Sequence, residues 1–372
     1  MNQDLALRLL GEVMQWDNER STQEFAWLQL FSRFKYDGYA DYVAGLRFVE
    51  SLASWLQQFD MQDREAAYGF VRSRVLYFSE REIQHLIELF YPDVIEPMLR
   101  AEVARGLGLP EYLIWSRAES LRSFFILRRR CLFFGLSDGA RIDVFRRATV
   151  GRISNEQVLL APEISSDKWK RVHIKLQEDL QRMNALDGKD AKFHYIFLLD
   201  DFTGTGYTAS QRLLRFWENV REVASSMLDS DWKLVVHHLI GTSKAKNDLA
   251  KADSTQQETR GSDWFPFVKT SFGLVLDDSI KVTFENAGSF WALIQKYYDP
   301  LIRSSHTDKG GTSDIRLGFG DCALPVVLEH NTPNNSIALL WSESKRRETI
   351  HQMRPLFRRR QRHIDFVVDG ET

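Results

Sequence analysis

The sequence predicts an α/β protein in which a mostly parallel sheet flanked by helices follows a mainly α-helical N-terminal region. Three observations carry this. Tyr195-Ile196-Phe197-Leu198-Leu199 is an unbroken apolar run of strand length, as expected for a strand covered on both faces. Comparable runs at 131–136 and 234–240 are separated from it by helical patterns, the alternation that builds parallel sheets. Residues 1–105 show instead amphipathic stripes at helical spacing, such as Leu5, Leu9 and Val13 or Phe25, Leu28 and Phe31.

Composition sets the bounds. The chain has 372 residues, long enough for two domains, with 44% hydrophobic and 27% charged residues, an ordinary globular balance. Net charge is −2, so no global basic field argues for nucleic acid. Its two cysteines, Cys131 and Cys322, have neither disulfide-framework nor zinc spacing, and a reducing, cytoplasmic setting is expected. No signal-peptide pattern and no apolar run of membrane-spanning length is visible, so no membrane partner is expected.

In the N-terminal region, Tyr42, Leu46, Val49, Leu52 and Leu56 form a third helical stripe. Residues 74–78 then read as a short strand, Ser79 to Glu82 as a capping box, and 83–90 as a helix broken by Pro92 and Pro97. Helices followed by a strand and another helix are compatible with a winged-helix-like domain or with a plain helical packing module. Gly106-Leu107-Gly108-Leu109-Pro110 is the strongest boundary signal, giving an expected division into a helical domain (1–108), an α/β domain (109–344) and a basic tail (345–372).

The 195–199 strand runs into Asp200-Asp201-Phe202-Thr203-Gly204-Thr205-Gly206-Tyr207-Thr208. Two carboxylates thus stand at a strand's carboxyl end, where open α/β sheets place ligands. The turn Thr203, Gly204, Thr205, Gly206, Tyr207 and Thr208 can offer backbone N–H groups and hydroxyls to a phosphate, with a helix N-terminus behind it. Acceptors for hydroxyls beside a phosphate cradle suit a ribose 5-phosphate. An ordinary βα turn with solvated carboxylates is the plainer alternative. The stretch resembles the phosphoribosyl-pyrophosphate (PRPP) motif of type I phosphoribosyltransferases, carried here by Asp200, Asp201, Thr205, Gly206 and Thr208, with Gly204 in the spacer and Tyr207 where the family often has glycine. The resemblance implies that fold, with Asp200 and Asp201 at the ribose hydroxyls, the turn at the 5-phosphate, and Mg²⁺ carried with the diphosphate and not by a protein cage.

Upstream, the 131–136 strand ends in Ser137, Asp138, Gly139, Ala140 and Arg141, with a helix expected from Ile142. Asp-Gly is common turn chemistry. In the resembled family this position holds the pyrophosphate-binding loop, and Arg141 carries a charge suited to phosphate. A strand at 157–160 and a helix at 169–183 follow. Lys168, Lys170 and Arg171 stand where that family has a mobile lid, although a solvated helix start fits them equally.

Leu213, Phe216, Trp217, Val220 and Val223 form the core stripe of the next helix. In the 234–240 strand, His237 and His238 must point to opposite faces and cannot chelate one metal. Residues 244–262 read as a polar helix, and 272–276 and 281–284 as strands.

Near the C-terminus, a strand at 326–329 enters His330-Asn331-Thr332-Pro333-Asn334-Asn335, ordinary turn chemistry that can also carry recognition groups. This stretch and the Asp-Asp motif together resemble a phosphoribosyltransferase-like family of bacterial conflict (anti-phage) systems. That resemblance implies an effector or regulator role, partner proteins from a defence operon, and an acceptor side that includes His330, Asn331, Asn334 and Asn335. From Lys345 to Arg362 there are eight Lys/Arg and one Glu, a local +7 against −9 for the rest; it reads as a solvated face or as a contact for nucleic acid or an acidic substrate, and Pro355, Leu356 and Phe357 within it fit partial docking onto the domain.

The leading expectation is a PRPP- or nucleotide-using glycosyl-transfer or nucleotide-cleaving enzyme, as a possible homodimer by the same resemblance. The alternatives are a non-catalytic PRPP or nucleotide sensor, and a nucleic-acid-associated regulator. Replacing both Asp200 and Asp201 by Asn is expected to abolish activity with the fold intact.

Overall fold

The computed structural model describes residues 3–40, 42, 47–160, 164–186, 191–260, 268–302, 314–344 and 352–359. The chain divides into two compact units, Met1–Glu80 with Ser279–Thr372, and Arg81–Asp278. This differs from the division expected at 108 and 344, and the packing explains both differences.

The first unit begins with helices α1 (Gln3–Met14), α2 (Asn18–Phe34), α3 (Phe48–Leu56) and α4 (Met61–Arg74), followed by strand β1 (Leu76–Phe78). Asp17 caps α2, its side chain accepting from the Arg20 N–H at 2.8 Å.

The second unit starts with α5 (Glu80–Leu89), continues through a π-helical turn at Phe90–Ile95, and re-enters α-helix as α6 (Glu96–Leu107). Pro97 sits in the first turn of α6, where its missing N–H costs nothing, so the prolines bend the path and do not end it. Phe90 stacks on His237 at 4.4 Å and meets Phe197 edge-on at 6.1 Å. These helices therefore belong to the sheet, and the expected boundary glycine, Gly108, is the left-handed C-cap of α6 (φ 63°).

The rest of this unit is α7 (Ala118–Arg129), β2 (Cys131–Gly135), α8 (Ile142–Ala148), β3 (Val158–Leu159), α9 (Ser166–Arg182), β4 (Phe193–Thr203), α10 (Tyr207–Val223), β5 (Leu228–Thr242), α11 (Ser243–Arg260) and β6 (Val268–Leu276). The five strands form one sheet in the order β3-β2-β4-β5-β6, every neighbouring pair parallel. The expected parallel α/β fold is thus present. One face packs Phe134, Ile196 and Leu198 against Trp169, Val172 and Leu176 of α9 and Phe216 and Val220 of α10. The other is aromatic, with Phe133 stacked on Phe197 at 5.2 Å and Phe145 of α8 5.2 Å from Phe133. The order reverses between β2 and β4: β2 passes to β3 on one side, while β4 passes to β5 and β6 on the other. Ligands of open α/β sheets bind at such a reversal.

The chain then returns to the first unit through α12 (Phe284–Ala287), α13 (Ser289–Tyr297), β7 (Val326–Leu328) and α14 (Ala338–Trp341). The strand expected at 281–284 is absent: Thr283 supplies a capping box and Phe284 opens α12. β1 pairs in parallel with β7, so it is not one arm of a wing hairpin. Both halves share one core. Phe70 stacks on Phe290 at 3.9 Å, and the Trp55 indole donates to the Leu339 carbonyl at 2.8 Å.

The described part of the basic tail, 352–359, is docked into this core. Met353, Leu356 and Phe357 are at most 1% exposed. Phe357 lies 5.3–6.2 Å from the rings of Tyr36, Tyr39, Tyr42, Phe48 and Tyr77. Arg358 pairs with Glu343 at 3.1 Å, and Arg359 lies over the Trp341 ring. Lys345–His351 and 360–372 lie outside the described residues. Among the described residues no helix is long and apolar enough to cross a membrane.

Two stability predictions follow from this packing. Phe357→Ala should destabilise the first unit by about 3–5 kcal/mol in urea titrations, the usual cost of emptying a buried phenyl site; a solvated tail would give no change. His237 is 1% exposed, and burial first, then the neighbouring His238, pushes its imidazole down to about 3. The unfolded chain therefore binds a proton between about pH 6.5 and 3 that the folded chain refuses, so stability falls as pH is lowered through that window. His237→Gln should flatten the stability–pH slope there by about one proton, about 1.4 kcal/mol per pH unit, read by urea titration at successive pH values.

Candidate functional site

The two stretches expected to bind a ligand, 137–141 and 203–208, both follow strands at the reversal between β2 and β4. Residues 131–135 pair with 195–199, so both strands deliver their following loops to the same end of the sheet. The Leu136 N–H continues the ladder to the Leu199 carbonyl at 2.7 Å. The Ser137 hydroxyl then donates to Asp201 Oδ1 at 2.8 Å. One hydrogen bond thus joins the first residue of the expected pyrophosphate loop to the second of the acidic pair.

The acidic pair splits across the sheet because strand side chains alternate. Asp201 is half-buried and faces Ser137. Asp200 is 2% exposed and lies on the face covered by α10. Its Oδ1 accepts from Arg212 Nη1 of α10 at 3.4 Å, and its Oδ2 meets His238 Nδ1 at 3.1 Å. His238 is fully buried and stacks on Phe272. His237 and His238 do occupy opposite faces, His237 meeting Ser271 Oγ at 2.9 Å. With Asp200 held by a partly buried guanidinium and a buried imidazole, the double Asp→Asn exchange would leave that guanidinium uncompensated. It cannot be the fold-neutral change expected from sequence.

The 203–208 turn is held from several sides. The Thr203 hydroxyl, at the end of β4, accepts the Gly206 N–H at 3.1 Å, and the Thr205 hydroxyl accepts the Tyr207 N–H at 3.4 Å. Thr242, at the end of β5, donates to the Gly204 carbonyl at 2.6 Å and accepts the Ala245 N–H at 3.0 Å, capping α11. Gly206 has φ 76°, and a Cβ there would lie 2.8 Å from Leu249 of α11, so both conformation and space require glycine. Tyr207 is 42% exposed, its ring outward, and Thr208 is exposed; α10 starts behind them.

The second loop is a 3-10 turn, Asp138–Ala140, with Asp138 exposed, Gly139 partly buried and Ala140 buried. Arg141 follows in the left-handed region (φ 46°), uncommon for a residue with a side chain. Lys168, Lys170 and Arg171 lie in the first turns of α9, which Ser165 caps; Lys170 pairs with Asp167 at 3.8 Å.

The four residues expected on an acceptor side lie in the other unit. His330 Nδ1 meets Glu329 Oε1 at 3.1 Å. The Asn331 N–H donates to Leu328, and the Asn334 carbonyl accepts from Phe319. Asn335 is 6% exposed and its amide donates to the Phe319 carbonyl at 3.0 Å. Gly318 is forced by the same turn, since a Cβ on it would run into the Asn335 carbonyl. This stretch is a wound structural turn.

Three participants escaped the sequence reading. Arg212 falls on the inward stripe of α10, three residues after Ala209 and four before Phe216, and a cation at a core position is itself a signal. Thr242 is a cap-type residue between a strand and a helix. The partnership of His238 with Asp200 needs the β4–β5 register, in which they are direct neighbours. A further cluster, His194 with Asp229 and Asp231, has metal-ligand chemistry but lies at the amino end of β4 and β5. Arg130 pairs with Asp229 there, and Lys233 with Glu102, so it is an ion-pair network.

No curated protein and no solved structure matches the chain. A family model does, over residues 52–359, from within α3 to the end of the docked segment and so across the whole second unit. Match and sheet agree, and the chain belongs to the phosphoribosyltransferase-like family PRTase-CE.

Proposed function

We propose that the protein binds PRPP or a related ribose-phosphate nucleotide at the β2/β4 reversal and catalyses phosphoribosyl transfer or nucleotide cleavage. The observation that carries this reading is the Ser137–Asp201 hydrogen bond, which brings a diphosphate-type loop and a ribose-phosphate motif into one site. In this reading the 203–208 turn takes the 5-phosphate, the acidic pair lines the ribose side, and the 137–141 loop with Arg141 takes the diphosphate.

Transfer displaces a diphosphate from ribose C1 through an oxocarbenium-like state, so the protein supplies alignment and charge and needs no nucleophile of its own. The oxygen-rich surroundings of Asp201, Ser137 and Thr205 suit Mg²⁺ arriving with the diphosphate and keeping its waters, not a dedicated cage. Bound in that way, the ion would neutralise the leaving group.

A role as an effector in a bacterial conflict system rests on the two resembling sequence stretches, 200–208 and 330–335. A non-catalytic sensor would use the same pocket and differ only in leaving its ligand intact. A nucleic-acid role loses part of its basis, because Arg358 and Arg359 are engaged with Glu343 and Trp341.

Calorimetric titration with PRPP and Mg²⁺ tests the reading. The wild type should bind. Gly206→Ala should bind at least tenfold more weakly, because the turn must shift to admit the Cβ. Asp201→Asn should bind PRPP at least tenfold more weakly with an unchanged Tm. Wild-type protein that binds neither PRPP nor a nucleotide would refute the assignment, and consumption of bound PRPP separates enzyme from sensor.

A further inference from the structure

We propose that the acidic pair is divided in function: Asp201 reads the ligand's hydroxyls, while Asp200, clamped by Arg212 and His238, is a positioning residue that sets the phosphate turn on the sheet. This rests on the function proposed above and assigns different tasks to two carboxylates that the motif treats alike.

The division follows from alternation along β4. Asp201 is half-buried, on the face where Ser137 approaches it. Asp200 is buried on the other, with each oxygen engaged by a different partner at 3.4 and 3.1 Å. A carboxylate facing a guanidinium accepts, so His238 gives Asp200 its Nδ1 proton. Asp200 is 2% exposed, so it offers a ribose hydroxyl almost no surface to reach, whereas Asp201 is half-buried.

The clamp has a mechanical consequence. Arg212 lies on α10, whose first residue, Tyr207, belongs to the phosphate turn. His238 lies on β5, which four residues later contributes Thr242 to hold the Gly204 carbonyl. Asp200 therefore ties together, at one point, the strand, the helix and the neighbouring strand that shape the turn.

The test uses the preference for ribose 5-phosphate over 2-deoxyribose 5-phosphate, measured calorimetrically on the full chain, together with thermal unfolding. A hydroxyl bound to a charged acceptor is worth roughly tenfold or more in affinity, so the wild type should prefer the ribose form by at least that factor. Asp201→Asn should abolish the preference and keep the wild-type Tm. Asp200→Asn and Arg212→Gln should lower Tm and weaken both sugar phosphates equally, leaving the preference intact. Their double variant should be no worse in affinity than either single, as expected of residues acting through one another. If Asp200→Asn does not fold, its anchoring part is supported, and Arg212→Lys and His238→Asn carry the preference measurement. Loss of the preference in Asp200→Asn, Arg212→Lys or His238→Asn, or its survival in Asp201→Asn, overturns the division while leaving the pocket assignment standing. Absence of any sugar-phosphate binding by the wild type overturns the pocket assignment and Asp201's part with it.

Discussion

A carboxylate at the end of a buried strand must either reach toward solvent or be given a countercharge, and β4 does one of each. Asp201 points toward the loop side, and Asp200 points into the protein, where Arg212 and His238 meet it. Burying that charge unpaired would cost several kcal/mol. The position of α10 and the register of β4 against β5 are therefore linked to one side chain. A slip of one residue along β4 would put Asp201 opposite Arg212 and Asp200 opposite Ser137, and would turn Ile196 and Leu198 away from α9 and α10.

Much of the second unit was legible because its signals are local. Uninterrupted apolar runs marked β2, β4 and β5, and the stripe from Leu213 to Val223 marked α10. The stretches 137–141 and 203–208 do fall at strand ends, since a strand followed by small residues and a helix start leaves little choice. What was not legible depends on pairings distant in sequence. Gly108 carries the composition of a linker yet is a helix cap, and only the packing of Phe90 on the sheet reveals this. The basic run after Lys345 has the charge of a tail, and although Pro355, Leu356 and Phe357 within it allow partial docking, the full burial of Met353, Leu356 and Phe357 depends on partners near the start of the chain.

The first unit shows the same effect on a larger scale. It is discontinuous: helices α1–α4 are joined by elements that begin some two hundred residues later. No hydrophobic period can announce that Phe70 stacks on Phe290, or that β1 finds its parallel partner in β7. The Asn331–Asn335 stretch leaves ordinary turn chemistry and a recognition loop both open in the sequence for the same reason. Its polar side chains are those of a binding loop, and their use in closing the turn around Gly318 appears only when Phe319 and Cys322 are brought against Asn335.

The 203–208 turn and the 137–141 loop are built on different physical terms. Thr203, Thr242 and Leu249 fix the 203–208 turn within the fold itself, so the entropy of ordering it is met in folding. The 137–141 loop carries Arg141 in a left-handed conformation costing roughly 1 kcal/mol, and its first residue reaches the neighbouring strand end through a hydroxyl bonded to Asp201. In the proposed reading, ligand hydroxyls and the Ser137 hydroxyl would meet on that one carboxylate, so what Asp201 accepts bears on where the strained loop begins.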